Sequence, residues 1–232
     1  ENLVIEKSLT LASRAYFQTE EELASWFTYT GNGYEIANDN ILETIIDGSM
    51  QQASVILINS PEDECIEVEI FGFTIQDGSG TEGTVKNDED DNPIYEIFGG
   101  GILSNNAIPT INYNYIKDCG MCDDGSGRSA FLCNQAGGAL NNGTGIDLGI
   151  RGGKYTETRD CPDVELDFTN NYYSGNDAVN GNTLAATGFG GSINMSESVF
   201  DVYNCPEQEV TTVWVDVGEE VEVDFSSSVG EL

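Results

Sequence analysis

The chain has 232 residues with 8 Lys and Arg, 41 Asp and Glu and no His, giving a net charge of −33. Nucleic-acid backbones and anionic membrane surfaces are excluded as partners, because each phosphate would be repelled. The absence of His removes Ser-His-Asp, Cys-His and HExxH chemistry together. With 39% hydrophobic residues and 9% aromatics, the apolar content suffices for a core, and the length fits one domain spanning 1–232.

No apolar run reaches the roughly 18 residues of a membrane-spanning helix. No basic stretch leads into an apolar one, so no signal peptide is read. The first residue is Glu1, and the chain reads as a mature or excised segment. Six cysteines, Cys65, Cys119, Cys122, Cys133, Cys161 and Cys205, without any His, fit disulfides in an oxidising compartment better than zinc. An extracellular or cell-surface location is therefore expected, where salt also screens the surface charge.

In chain order, Leu3 to Leu11 (LVIEKSLTL) is strand-like. Thr19 caps a short helix over Glu20 to Trp26, with Glu22 at the capping-box position and acids in the first turn. The turn motif TIIDGS at 44–49 recurs as TIQDGS at 74–79, with an echo, YIKDCG, at 115–120. Strand-like stretches fall at 54–60, 109–116, 163–169 and 198–204, and alternation marks Ile66, Val68, Ile70 and Val213, Val215, Val217. A glycine-pair motif appears as GGGILSNN at 99–106, AGGALNNG at 136–143 and FGGSINMS at 189–196. The class is all-β.

Short motifs at irregular spacing are what a β-solenoid produces, since each turn contributes fixed strands while loops leave at the corners. Glycine supplies the tight bends, and recurrent Asn can stack into side-chain ladders. These motifs resemble those of right-handed parallel β-helix proteins of the pectin-lyase-like class, particularly secreted bacterial β-helix repeat proteins. The resemblance is best over roughly residues 1 to 120. It implies a right-handed parallel β-helix with one short N-terminal helix, long corner loops and about seven or eight turns, a rod about 35 to 40 Å long. The motifs are structural and bring no reaction with them. At the amino end an upstream turn is expected to be missing, and at the other end 211–225 alternates up to a Ser-rich tail without a covering helix. Uncovered ends expose strand edges, and head-to-tail stacking through them gives a filament.

Candidate chemistry is sparse. Asp88, Asp90 and Asp91, with Asp123 and Asp124, lie in acid-rich loops that offer Ca²⁺ the oxygen ligands it wants, without EF-hand spacing. Calcium is the one cofactor considered. Cys119 and Cys122 form a CxxC that reads as a loop-pinning disulfide rather than a redox or zinc site. In enzymes of the resembled class, lyases use calcium with a Lys or Arg base and hydrolases use paired Asp; Arg151 and Lys154 are the nearest equivalents, and the hydrolase signatures are absent. Tyr113, Tyr115, Tyr172, Tyr173 and Tyr203 recur near turns, where they either stack on a sugar or pack between turns. Asn142 and Asn194 head Asn-x-Ser/Thr sequons. The function expected is an extracellular structural subunit that stacks end to end with copies of itself, and the alternative is a secreted carbohydrate-binding or polysaccharide-cleaving protein.

Overall fold

The computed structural model describes residues 3–49, 53–61, 64–87, 93–119, 146–147, 161, 164–176, 183–186, 191–201, 213–215 and 221–230. The chain is all-β, and its strands collect into short parallel sheets. The first sheet holds β1 (Leu3–Ile5), β6 (Ile56–Asn59), β11 (Ile102–Asn105), β14 (Ile146–Asp147), β17 (Leu184–Ala186) and β20 (Val213–Val215), in that spatial order. The second holds β2 (Leu9–Ala12), β7 (Ile66–Phe71) and β12 (Ala107–Asn112). Across from β12 stands a further set, β15 (Leu166–Asp167), β18 (Gly191–Asn194) and β21 (Val221–Asp224); the Tyr113 N–H donates to the Thr169 carbonyl between them at 3.4 Å. The third sheet holds β5 (Ile45–Asp47), β8 (Thr74–Gln76), β13 (Tyr115–Lys117), β16 (Tyr172–Ser174), β19 (Val199–Asp201) and β22 (Val229–Gly230). Within these parallel sheets neighbouring strands are never consecutive in sequence, because a tight turn cannot join parallel strands.

Register places like residues above one another. Ile46, Ile75, Ile116, Tyr173 and Phe200 form one inward column, and Leu3, Ile56 and Ile102 form another. Ile56, Ile58, Ile70, Ile75, Ile102 and Ile116 are fully buried, each contributing about 1.5–3 kcal/mol relative to exposure. β7 alternates buried and open positions, Ile66, Val68 and Ile70 inward with Glu67 out. That is the period-2 pattern of a half-buried strand.

Where the second sheet hands the chain to the third, Gly72, Tyr113, Asn170, Glu197 and Ser227 all take positive φ. For the four that are not glycine this costs about 1–2 kcal/mol each. The residue after each of them builds a buried ladder that offsets the cost. Phe73 N–H donates to Asn114 Oδ1 at 3.0 Å, Asn114 N–H to Asn171 Oδ1 at 2.9 Å, Asn171 N–H to Ser198 Oγ at 3.1 Å and Ser198 N–H to Ser228 Oγ at 3.2 Å. Asn114 and Asn171 follow the strands at this corner and are not the Asn of the glycine-pair motifs.

At that same corner, the link leaving β2 is a long excursion from Ser13 to Thr44. It carries a 3₁₀ turn (Arg14–Phe17), α1 (Glu20–Leu23), an antiparallel hairpin of β3 (Phe27–Tyr29) and β4 (Tyr34–Ile36), and α2 (Asp39–Leu42). The corresponding links after β7 and β12 are only Gly72–Phe73 and Tyr113–Asn114. The excursion folds back over the outside of the third sheet, where Ala15, Leu23, Trp26 and Ile41 pack with Tyr172 and Val199 as a second core. The expected helix over 20–26 forms only over Glu20–Leu23, with both capping-box bonds in place. It stops because Trp26, 1% exposed, is drawn inward against Phe27 and Tyr113. The second helix and the 3₁₀ turn were not expected. A second excursion is the antiparallel hairpin of β9 (Thr81–Asn87) and β10 (Pro93–Phe98).

Two motif alignments differ from the register. Thr74 stands opposite Ile45 rather than Thr44, so TIIDGS and TIQDGS are one residue out of step, whereas the weaker echo YIKDCG is in step with TIQDGS. Ile46 must share the inward column with Ile75, and a one-residue slip would turn it outward. The glycine-pair copies occupy different sheets, since GGGILSNN feeds β11 of the first sheet and FGGSINMS feeds β18 beside β15 and β21. The motif leads into a strand without identifying a particular sheet; the copy at 136–143 lies outside the described residues. The largest sheets have six strands, a stack about 24 Å high at strand spacing, where about seven or eight turns were expected.

Candidate functional site

The acidic residues expected to hold calcium, Asp88, Asp90, Asp91, Asp123 and Asp124, lie outside the described residues, as do Arg151, Lys154, Tyr203 and Asn142. Among the described residues no group of three or more His, Cys, Asp or Glu side chains could hold a metal ion. One acidic corner is present at the end of the third-sheet strands. Asp77 and Asp118 follow β8 and β13 with positive φ, and Gln76 Nε2 donates to Asp47 at 3.2 Å and to Asp77 at 2.9 Å. Partial burial, with Asp47 and Asp118 nearby, raises the Asp77 carboxyl above its ordinary value. Lys117 pairs with Asp118 at 2.9 Å. Burial alone would lower the Lys117 ammonium, but its bond to Asp118 and the surrounding negative charge carry it upward. This cation is a salt-bridge partner with Tyr115 beneath it at 5.7 Å.

The tyrosines are packed. Tyr172 and Tyr173 are 2% and 1% exposed, Tyr173 stacks on Phe200 with ring centroids 5.4 Å apart, and Tyr113 and Tyr115 lie against the excursion. The Tyr172 hydroxyl donates to the Tyr34 carbonyl at 2.9 Å. Among the described residues, the aromatics most open to solvent are on the excursion, Phe17 at 85% and Tyr29 at 63%.

Cys65 and Cys161 form a disulfide across a sequence separation of 96 residues. Cys119, expected in a bridge, is a buried free thiol. It takes the corner position that Asn176 occupies one strand further on, its N–H donating to Asn176 Oδ1 at 3.1 Å and its thiol to the Lys117 carbonyl at 3.3 Å. Burial pushes this thiol up to about 12. Cys122, Cys133 and Cys205 lie outside the described residues. Asn194, half-buried on β18, accepts the Ser196 N–H of its own sequon at 3.0 Å.

The feature that spans the whole stack is on the second sheet and its continuation. Thr10, Glu69 and Thr110 are in register, as are Asp167, Asn194 and Asp224. The two sets are joined where the Thr169 N–H donates to Asn112 Oδ1 at 3.0 Å and Asn114 N–H to Asn171, which puts Thr110 against Asp167. The resulting column alternates neutral and acidic at every step. Two residues back along each strand, Ser8, Glu67, Ile108, Glu165, Ser192 and Glu222 alternate in the same way. Like charges directly opposite are destabilising, and alternation separates them to about 10 Å, close to the Debye length. Thr10 Oγ1 donates to Glu69 at 2.9 Å, so the neutral members also solvate the acids. Nothing in the linear sequence signals these columns, because they exist only once the unequal links between strands are known.

Both ends of the stack are open among the described residues. At one end β1, β2 and β5 each pair on one side only, and at the other β20, β21 and β22 do. The inward residues there, Leu3, Leu9, Leu11 and Ile46 at one end and Val223 and Phe225 at the other, are only partly buried, and Val4 and Ile45 are 51% and 52% exposed. No protein-family model, no curated protein and no solved structure matches this chain.

Proposed function

We propose that the chain winds as a right-handed parallel β-helix of six turns and serves as an extracellular structural subunit, stacking end to end in a surface, matrix or filament assembly. The winding is supported by the interleaving of three parallel sets of strands and by the corner ladder, and its hand by the strong preference of parallel crossovers. The extracellular setting is supported by the Cys65–Cys161 disulfide. The observation that carries the assembly reading is the pair of open ends, where the described residues leave strand edges unpaired and apolar columns half-covered, a combination that monomeric proteins block. Strand pairing between copies would satisfy the edges, and burial of the columns would supply the apolar term.

Light scattering and negative-stain imaging of the purified protein, over a range of concentration and salt, test this. Rods that lengthen with concentration, and more readily in high salt as the −33 charge is screened, are the expected result. A monodisperse monomer throughout would overturn the assembly reading. Glycan binding is the second reading, and it now rests on Phe17 and Tyr29 rather than on the tyrosines of the strands. Chemical-shift changes at those two rings on adding neutral oligosaccharides would favour it.

A further inference from the structure

The alternating columns begin neutral, at Thr10 and Ser8, and end acidic, at Asp224 and Glu222. We infer that a second copy of this chain docks head to tail in one register, its Thr10 stacked on Asp224 and its Ser8 on Glu222. The inference rests on the end-to-end reading above and fixes its geometry. In this register the neutral-acidic alternation runs unbroken across the joint, and the positive-φ corner at Ser227 stands over Ser13, whereas a slip of two residues keeps the alternation but parts the corners. Joining two carboxyl-terminal ends would set Asp224 and Glu222 against their own counterparts, and joining two amino-terminal ends would leave hydroxyls facing hydroxyls with no acid to solvate. Slippage by one residue turns the apolar columns outward.

The main chain agrees. On the second sheet and its continuation each N–H donates to the carbonyl one step back on the following strand, as in Phe168 to Asn194 and Met195 to Asp224, both at 2.8 Å. The next bond in that series runs from Phe225 N–H to the Thr10 carbonyl of the second copy. The Ser13 N–H donates to the Phe71 carbonyl at 3.0 Å, so by alternation Thr10 points its own backbone groups off the open edge. On the third sheet the direction is reversed, as in Tyr172 to Asn114 and Val199 to Asn171, both at 2.8 Å, and Val229 to Ser198 at 2.9 Å. The next bond there runs from Ile45 N–H of the second copy to the Ser228 carbonyl. Thr74 N–H donates to the Thr44 carbonyl at 3.0 Å, which leaves Ile45 facing outward as this requires. Both sheets thus present the correct donor or acceptor at the same joint. The apolar columns also meet, Val223 on Leu9 and Phe225 on Leu11. The corner ladder does not continue, because the Ser228 N–H turns back to the Phe225 carbonyl at 3.1 Å.

The test is a cysteine pair in the whole chain, Thr10→Cys with Asp224→Cys, oxidised under conditions where the unmodified protein assembles. A reductant-sensitive ladder of multimers is expected from this pair and not from Thr10→Cys with Glu222→Cys, with either single variant, or with the unmodified protein. A second variant, Thr10→Glu, places a carboxylate at the joint against Asp224 and is expected to weaken assembly about two- to fivefold at neutral pH, with the loss reversed by Thr10→Gln. Crosslinking by the offset pair in an assembling protein would overturn the register while leaving stacking intact. A protein that stays monomeric would overturn both, and would mean that other strands of the same polypeptide cover the edge.

Discussion

Asn171 accepts the backbone N–H of Asn114 at 2.9 Å from 57 residues away in sequence, and its own amide donates to the carbonyls of Ile111 at 2.6 Å and Phe168 at 2.8 Å. One fully buried side chain thus serves three main-chain groups on two successive strands of the stack. Removing it leaves those groups dry and unpartnered, at about 1–3 kcal/mol for each one not reached by water. Asn171→Ala is expected to lose about 3–5 kcal/mol in chemical denaturation. A loss under about 1 kcal/mol would show that the corner does not depend on the ladder.

Asn194 lies in register between Asp167 and Asp224, as the neutral spacer in a column of acids. Asn194→Asp keeps the acceptor that holds the Ser196 N–H but brings three carboxylates together. Each opposed pair costs about 0.2–1 kcal/mol, so about 0.5–2 kcal/mol of destabilisation is expected at pH 7. Neighbouring negative charge raises the acid in the folded state, so the penalty builds as pH rises through the carboxylate range and vanishes once the acids are protonated. A pH-independent loss in thermal melts would assign the effect to packing instead.

The all-β class and the capping box at Thr19 and Glu22 were legible in the sequence because each is written in neighbouring residues, whereas Asn114 and Asn171, 57 residues apart, meet only across strands. What was not legible depends on link length. The excursion from Ser13 to Thr44 replaces a two-residue corner, and no local signal says that Trp26 will pack beside Tyr113 and cover a strand that contains Tyr172. The same unequal links conceal the pairing of Glu69 with Thr10 and Thr110, and they make TIIDGS and TIQDGS look aligned when Ile46, not Ile45, shares a column with Ile75. Identical letters at a turn record a shared bend, whereas register is set by which side chain must point inward.

At the acidic corner Asp77 is raised by partial burial, then by Asp47 and Asp118. A carboxyl whose folded value lies above its unfolded one binds more proton in the folded state, so its contribution to stability falls as pH rises through the interval between the two. Asp77→Asn removes that charge, keeps an acceptor for the Gln76 amide, and tolerates the positive φ at this position. The variant is expected to match the parent at acid pH and to be more stable by up to about 1 kcal/mol at pH 7, the scale of a partly exposed charge interaction. If it is instead less stable at pH 7, the corner carboxylates are held by a compensating cation.

Cys119 is fully buried between the Lys117 carbonyl and Asn176, and its thiol is pushed up to about 12 from an ordinary 9.0. The reactive thiolate is therefore scarcer at pH 8 by about a thousandfold than for an unperturbed cysteine, and burial slows any reagent further. Iodoacetamide applied to the native protein is expected to leave Cys119 unmodified in peptide mapping, and to modify it fully after denaturation. Because folding favours the protonated thiol, the stability it contributes is complete below the ordinary value and declines as pH rises from about 9.0 toward about 12. Cys119→Ser should remove the part of the alkaline stability loss that belongs to this thiol, since the serine hydroxyl does not titrate there while keeping a donor for the Lys117 carbonyl. Rapid native labelling at pH 8 would mean that the corner opens on the timescale of the reaction, and Asn176→Ala, which removes the acceptor of the Cys119 N–H, should then accelerate it further.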